Sequence, residues 1–258
     1  MNFLTDILSV LGLCFALFFG LDRKGFVISI IVGVLLAALC WVACSYFSRL
    51  WNLRFRTKPL HHILCFFAAI LTLVFTVLFF ALQYTKEAAY ASVKVWEAQI
   101  NLDPVWADKT FASAYKAVKA LGIEDFSTVP LPGLPNSHIP ANHDESIITA
   151  AGTYANGASA HFHDSRPFLG LILEGKSEIP RQVLDADVKN YFATVGNSYP
   201  PPRGISLVAG EMRRGLDTQV PKVVTYARAS LIALFLLCQA IPFGLVAWAS
   251  YKDIKIIT

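Results

Sequence analysis

Hydrophobic residues along this chain are concentrated in four long stretches that contain no Asp, Glu, Lys or Arg. A helix of about 20 apolar residues is long enough to cross the hydrocarbon core of a bilayer. Three of the stretches reach that length, and the first approaches it when Phe3 and Leu4 are added. The pattern predicts four transmembrane helices, over residues 4–21, 25–48, 59–85 and 229–251.

The polar segment between the third and fourth stretches, residues 86–228, predicts a domain outside the bilayer. The third span is expected to run on as a helix to about residue 100. Asp103 followed by Pro104 is typical of a helix start, and Gly122 is typical of its end. Further helices are predicted from about residue 180 to Gly196 and from about residue 205 into the fourth span, with bends at Pro221 and Pro242.

The middle of this domain has a different pattern. Four prolines between residues 130 and 140 exclude a regular helix there. Residues 146–154 and 167–173 predict two short strands, because they are apolar or β-branched runs bounded by turn residues. The predicted fold class is therefore a mainly α membrane protein, with four transmembrane helices and a mostly helical extracytoplasmic domain that carries a small β or loop insert.

Positive charge is concentrated in one short loop between the second and third spans. Short loops rich in Lys and Arg stay on the cytoplasmic side of a membrane, so this loop predicts that both termini are cytoplasmic and that residues 86–228 lie outside. If the first stretch does not span, the N-terminus moves outside while the large domain does not. The residues that set this orientation are Arg49, Arg54, Arg56 and Lys58.

The predicted organisation has five parts. They are a transmembrane hairpin with its basic loop (1–58), a third span (59–85), the outer domain (86–228), a fourth span (229–251) and a cytoplasmic tail (252–258). The outer domain has no Asn-x-Ser/Thr acceptor, which fits a bacterial inner membrane. It holds 14 basic and 15 acidic residues, and this neutral balance argues against nucleic acid as a partner.

Small residues recur at four-residue spacing in the first two spans. Such stripes allow helix backbones to approach closely in lipid. The main interpretation is packing within the hairpin, and the alternative is a face for a homodimer. The predicted packing residues are Gly12, Ala16 and Gly20 in the first span and Gly25, Ser29, Gly33 and Ala37 in the second.

Histidines in the outer domain give the best candidate for chemistry. On an extended strand, His161 and His163 would point to the same face. Together with two earlier histidines and nearby carboxylates they could supply zinc or copper ligands. The structural alternative is surface or loop histidines in a polar insert. The candidate ligands are His138, His143, His161 and His163.

Other catalytic patterns are missing from the sequence. It contains no G-x-S-x-G, no HExxH and no phosphate-binding glycine loop. All five cysteines lie in the apolar stretches, so the outer domain has no disulfide framework. We therefore expect no enzyme activity and no cofactor, apart from the zinc or copper of the metal hypothesis.

The order of a short first loop, a basic inner loop and a large outer loop is similar to the topology of tetraspanins. The Cys-Cys-Gly motif and the paired outer cysteines of that family are absent here, so the resemblance carries no function to this chain.

The leading functional hypothesis is a non-enzymatic membrane subunit whose outer domain binds a protein partner. Uncharged spans, small-residue stripes and a neutral outer domain favour it. A secretion or conjugation machine, or an immunity or exclusion protein, would use such a subunit. The expected partners are the bilayer and other membrane or envelope proteins, with a homo-oligomer as one form. The alternatives are a metal-binding outer domain, acting as an enzyme or a metal carrier, and an oligomeric channel subunit.

Overall fold

The computed structural model describes residues 3–47, 49, 59–122, 144–173, 181–194 and 201–257. These residues form nine α-helices, and a single 3-10 turn at Leu82–Tyr84 joins the third helix to the fourth. The helices are α1 (Phe3–Leu21), α2 (Arg23–Phe47), α3 (Pro59–Ala81), α4 (Thr85–Asn101), α5 (Pro104–Lys119), α6 (Asp144–Ser165), α7 (Pro167–Leu173), α8 (Arg181–Thr194) and α9 (Pro201–Ile257).

Four helical segments within the described ranges are long and apolar enough to cross a membrane. This confirms the four apolar helices expected from the sequence and indicates a multi-pass membrane protein. The segments are Phe3–Leu21, Arg23–Phe47, Pro59–Asn101 and Pro202–Lys252. The last one lies in α9, which continues as a helix through both Pro221 and Pro242.

The chain divides into two compact units. Unit 1 contains residues 1–11 and 86–221, and unit 2 contains residues 12–85 and 222–258. Both α1 and α9 therefore contribute to each unit. The apolar helix α1 belongs in its first half to the same unit as the polar segment, which the hydropathy pattern does not indicate.

Unit 2 is built on the packing of α2 against α3. Gly33 lies so close to α3 that a Cβ atom there would be 2.7 Å from Leu73 Cδ1. Farther along the pair, the buried thiols of Cys44 and Cys65 pack with Val246 of α9. Gln239 of α9 is also buried, and its amide donates hydrogen bonds to the Ala68 carbonyl at 2.9 Å and to Thr72 Oγ1 at 3.0 Å. Side-chain amides stabilise the packing of helices in lipid when the amide and the groups that it contacts are hydrogen-bonded to each other.

The small-residue stripes have two different environments. Ser29 and Gly33 of α2 are buried, whereas Gly12, Ala16 and Gly20 of α1 are exposed. A Cβ atom added at Gly12 or Gly20 would meet nothing within 4 Å. Close helix contact is therefore seen at the α2 stripe, and the homodimer interpretation of the α1 stripe stays a prediction. The remaining members are Gly25, whose N–H bonds to Asp22 Oδ1, and the half-buried Ala37.

Unit 1 has a helical core. The predicted start and end of α5 are confirmed: the Asp103 carboxylate accepts hydrogen bonds from the N–H groups of Val105 and Trp106, and Gly122 has φ +69°. Such a cap satisfies backbone donors that the first helical turn leaves unpaired. Residues of α5, α6 and α8 form the core, namely Ala114, Val118, Ala150, Ala151, Tyr154, Leu184 and Val188.

The β insert predicted for this domain is wrong for the two segments named. Residues 146–154 lie within α6 and residues 167–173 form α7, and the described part of the chain contains no strand. Along α6, Ala150, Tyr154, Ala158 and Phe162 are buried at a spacing of four residues, which is the period of a helix packed on one side. The strand propensity of residues 146–154 was outweighed by the helical burial pattern that extends along the whole of α6.

Candidate functional site

His161 lies in a cluster of aromatic side chains in unit 1. The indole N–H of Trp96 donates a hydrogen bond of 3.0 Å to His161 Nδ1. Because an indole can only donate, Nδ1 carries no proton in this arrangement. The rings of Trp106 and His161 lie 6.3 Å apart, and the Ser165 hydroxyl donates to the His161 carbonyl. The imidazole is thus an orienting partner of Trp96, with only Nε2 left for another group.

His163 is oriented differently from His161. Two residues in an α-helix are separated by about 200° around the axis, so the two rings point to opposite sides of α6. The His163 ring lies against Gly170 of α7, where an added Cβ would be 2.5 Å from Nδ1. Its Nε2 is buried without a hydrogen-bond partner among the described residues.

The expected pairing of His161 and His163 on one strand face is therefore wrong, because the segment is helical. His138 and His143 lie outside the described residues. Within the parts of the chain that are described, no group of three or more His, Cys, Asp or Glu side chains is placed to hold a metal ion. Of the four orientation residues, Arg49 lies exposed in a turn after α2, while Arg54, Arg56 and Lys58 are outside the described residues.

Asp6 has a structural role that the sequence pattern missed. It lies in the first half of α1, and its side chain is fully buried. The carboxylate accepts hydrogen bonds from the N–H groups of Phe168 and Leu169, at 3.0 and 3.4 Å, and lies 3.5 Å from Arg166 Nη1. Asp6 thereby caps the first turn of α7 from 162 residues away in the chain.

The turn between α4 and α5 presents two aliphatic side chains to solvent. Leu102 is 82% exposed and Val105 is 75% exposed. The turn between them is held by the Asp103 cap, whose Oδ1 accepts from Val105 N at 2.9 Å, and by Pro104 at the first position of α5. We call Leu102 and Val105 the α4–α5 corner.

Ion pairs join α4 to the part of α9 in unit 1. Glu97 Oε2 lies 2.7 Å from Arg213 Nη2, and Lys86 Nζ lies 2.6 Å from Asp217 Oδ1. The Tyr90 hydroxyl also donates to Asp217 Oδ1. These contacts attach α4, which ends at the α4–α5 corner, to the part of α9 in unit 1. The corner is therefore held both by the Asp103 cap and by the ion pairs of α4.

Tyr154 is a fully buried polar side chain of the unit 1 core. Burial, together with the charge of Asp108, raises the pKa of Tyr154. The hydroxyl stays protonated at neutral pH, and it has no hydrogen-bond partner among the described residues. A neutral, buried phenol packed edge-on against Trp106 is a core side chain.

Comparisons with protein-family models, with curated proteins and with solved structures find no match for this chain.

Proposed function

We propose that the protein is a non-enzymatic membrane subunit that binds a protein partner through the α4–α5 corner. The observation that carries this proposal is the exposure of Leu102 and Val105, three residues apart on a turn whose backbone is held by the Asp103 cap and Pro104. Aliphatic side chains gain free energy when a partner covers them, and a rigid backbone lowers the entropy lost on binding. A secretion or conjugation machine, or an immunity or exclusion system, would be the setting for such a subunit.

We further propose that unit 1 is extracytoplasmic in a bacterial inner membrane, as the basic loop at residues 49–58 indicates. Asp6 is bonded to α7 of unit 1 and therefore shares its side of the membrane. At the other end of α1, Asp22 accepts a hydrogen bond of 2.6 Å from Tyr84, just before the chain enters unit 1 at Lys86. We therefore expect both ends of α1 to lie on the outer side of the membrane.

This proposal gives three full spans rather than four, with the N-terminus outside and the C-terminus cytoplasmic. The face of α1 opposite Asp6 is apolar and exposed, which suits a helix lying at the membrane surface. Its exposed residues include Leu4, Leu8, Leu11, Phe15 and Phe19.

The partner proposal is tested with the full chain expressed in cells. A photo-crosslinking amino acid at position 102 should trap one protein of defined mass. The same label with Val105→Asp should trap at least about tenfold less, since a buried carboxylate would have to lose its hydration. Leu171→Asp is the matched control, because Leu171 is also exposed in unit 1 but lies on α7.

Two results would count against this function. Equal crosslinking in the Val105→Asp and Leu171→Asp variants would show that the corner is not the contact. A crosslink only to a second copy of the chain would favour the channel or homo-oligomer alternative.

A further inference from the structure

The spans of unit 2 enclose an apolar groove. It has a volume of about 500 Å³ and is formed by α2, α3 and α9. This volume is within the range of roughly 300–1,000 Å³ that is usual for small-molecule sites. The lining of the groove includes Val32 and Cys40 of α2, Thr72, Thr76 and Phe79 of α3, and Ile232 of α9.

The groove has the length of an acyl chain in one leaflet. Between Thr72 and Phe80, both of which line it, α3 rises about 12 Å. One leaflet contributes about 15 Å of a hydrocarbon core that is about 30 Å thick. An extended lipid tail would therefore find apolar contacts along most of its depth.

The deep end of the groove is closed by polar groups that satisfy each other. The Gln239 amide donates to Thr72 Oγ1 at 3.0 Å, and Cys40 Sγ lies 3.8 Å from Gln239 Oε1. Thr76 Oγ1 donates to the Thr72 carbonyl at 2.7 Å. These groups already have hydrogen-bond partners within the protein. The end of an apolar chain can therefore lie against them without leaving a buried donor unpaired.

The other end of the groove has a cation. Arg228 lies one helical turn before the groove residues of α9, and its guanidinium is 5.1 Å from the centre of the Phe79 ring. Its Nε is buried and has no hydrogen-bond partner within the described ranges. A guanidinium at the edge of an apolar stretch is complementary to a phosphate in charge and geometry.

We propose that this groove binds one phospholipid of the surrounding bilayer, with an acyl chain against Phe79 and Ile232 and the phosphodiester on Arg228. An apolar groove that ends at a guanidinium whose Nε donor is unpaired in the described part of the chain has the two features of a phospholipid, in the same order. A transmembrane helix of another chain would fill the groove but would leave the Arg228 donor unpaired.

The test uses the full chain in detergent, with dioleoyl phosphatidylglycerol added and lipid adducts counted by native mass spectrometry. We expect one lipid to remain through delipidation, and its retention to fall at least about tenfold in Arg228→Gln and in Ile232→Trp. Lys222→Gln removes an exposed cation of the same helix and should retain the lipid. Leu234→Trp should retain it too, because Leu234 is as exposed as Ile232, at 51% and 50%, but does not line the groove.

A diazirine-tailed phosphatidylglycerol then locates the contact, with labelling expected on α3 and α9 peptides that contain Phe79 and Ile232. Inorganic phosphate in excess should not displace the lipid; displacement would assign Arg228 to a soluble anion and overturn the proposal. Equal retention in all four variants would also overturn it, as would groove peptides crosslinked to a second copy. If Arg228→Gln fails to fold, lipid retention is measured in Arg228→Lys instead. The comparison of Ile232→Trp with Leu234→Trp then still tests whether the lipid lies in the groove.

Discussion

At the scale of single residues, Asp6 is a carboxylate with no exposure to solvent, within an apolar stretch of the sequence. Its carboxylate is fully buried and is balanced by Arg166 and by two backbone N–H groups of α7. Sequence patterns could not identify this role, because the partners are more than 150 residues away and the flanking residues are apolar. The caps at Asp103 and Gly122 were predictable because every group that they need is within three residues.

We expect Asp6→Ala to lower the free energy of unfolding by about 3 kcal/mol, because Arg166 would keep a largely buried charge without its partner. Thermal unfolding of the full chain in detergent measures the loss. Asp6→Asn keeps an oxygen acceptor for α7 and should lose less, about 1–2 kcal/mol. An unchanged melting temperature in Asp6→Ala would show that the carboxylate does not stabilise α7.

Asp22 gives the chain a predictable response to acid. The hydrogen bond from the Tyr84 hydroxyl, followed by that from Gly25 N–H, holds the pKa of Asp22 below its ordinary value of 3.8. The ionised form therefore stabilises the folded state above about pH 4, and this contribution disappears as the pH falls through the lower folded value.

The corresponding measurement compares wild type with Asp22→Asn between pH 3 and 7. We expect a constant difference in melting temperature above about pH 4, with wild type higher, and a shrinking difference below it. Tyr84→Phe should reduce the difference, since the first of the two hydrogen bonds is lost. A difference that grows on acidification would contradict the assignment.

At the scale of elements, α2 and α3 approach each other closely at Gly33, where there is no side chain. Gly33→Leu should cost about 2 kcal/mol, because the new side chain would meet Leu73 and then the α3 backbone, whose nearest atom is 3.7 Å from the Cβ position. Gly12→Leu is the matched control, with nothing within 4 Å of its Cβ, and should be close to neutral. Similar losses in the two variants, measured as melting temperatures in one detergent, would rule out a special role for Gly33.

The success of sequence reasoning varied among the elements for a physical reason. Helices as long as α2 and α3 carry an apolar signal that no other structure satisfies in a membrane. The short helix α7 has seven residues, and an apolar run of that length fits a strand as well as a helix. In the folded chain its first turn is capped by Asp6, which lies far away in the sequence. The pairing of His161 with Trp96 was equally hidden, because it requires α4 and α6 to be packed first.

At the scale of the whole molecule, the proposed three-span topology gives a direct prediction. A cysteine at Thr5, a polar exposed position beside the apolar face of α1, should be labelled in intact cells by a membrane-impermeant maleimide, as should a cysteine at Leu102. A cysteine at Arg49, in the turn after α2, should be labelled only after permeabilisation. The wild-type chain supplies the background, since its five cysteines lie in the apolar stretches.

Labelling of position 5 only after permeabilisation would restore four spans and place the N-terminus in the cytoplasm. It would also conflict with the bond between Asp6 and α7 if Leu102 remained accessible from outside. The two positions therefore have to be measured in the same preparation.

The Asp6 contact also orders events during synthesis. The Asp6 carboxylate is synthesised 162 residues before the Phe168 N–H from which it accepts a hydrogen bond. At about 5–20 residues per second, the carboxylate waits roughly 8–30 s for its partners. During that interval α1 is an apolar helix whose Asp6 carboxylate has no hydrogen-bond partner from α7, and unit 1 lacks the contact between α1 and α7. Closure of α1 onto α7 is thus a late, long-range step in biogenesis, and we expect a deletion that removes Asp6 to lower the yield of the whole protein before it affects any activity.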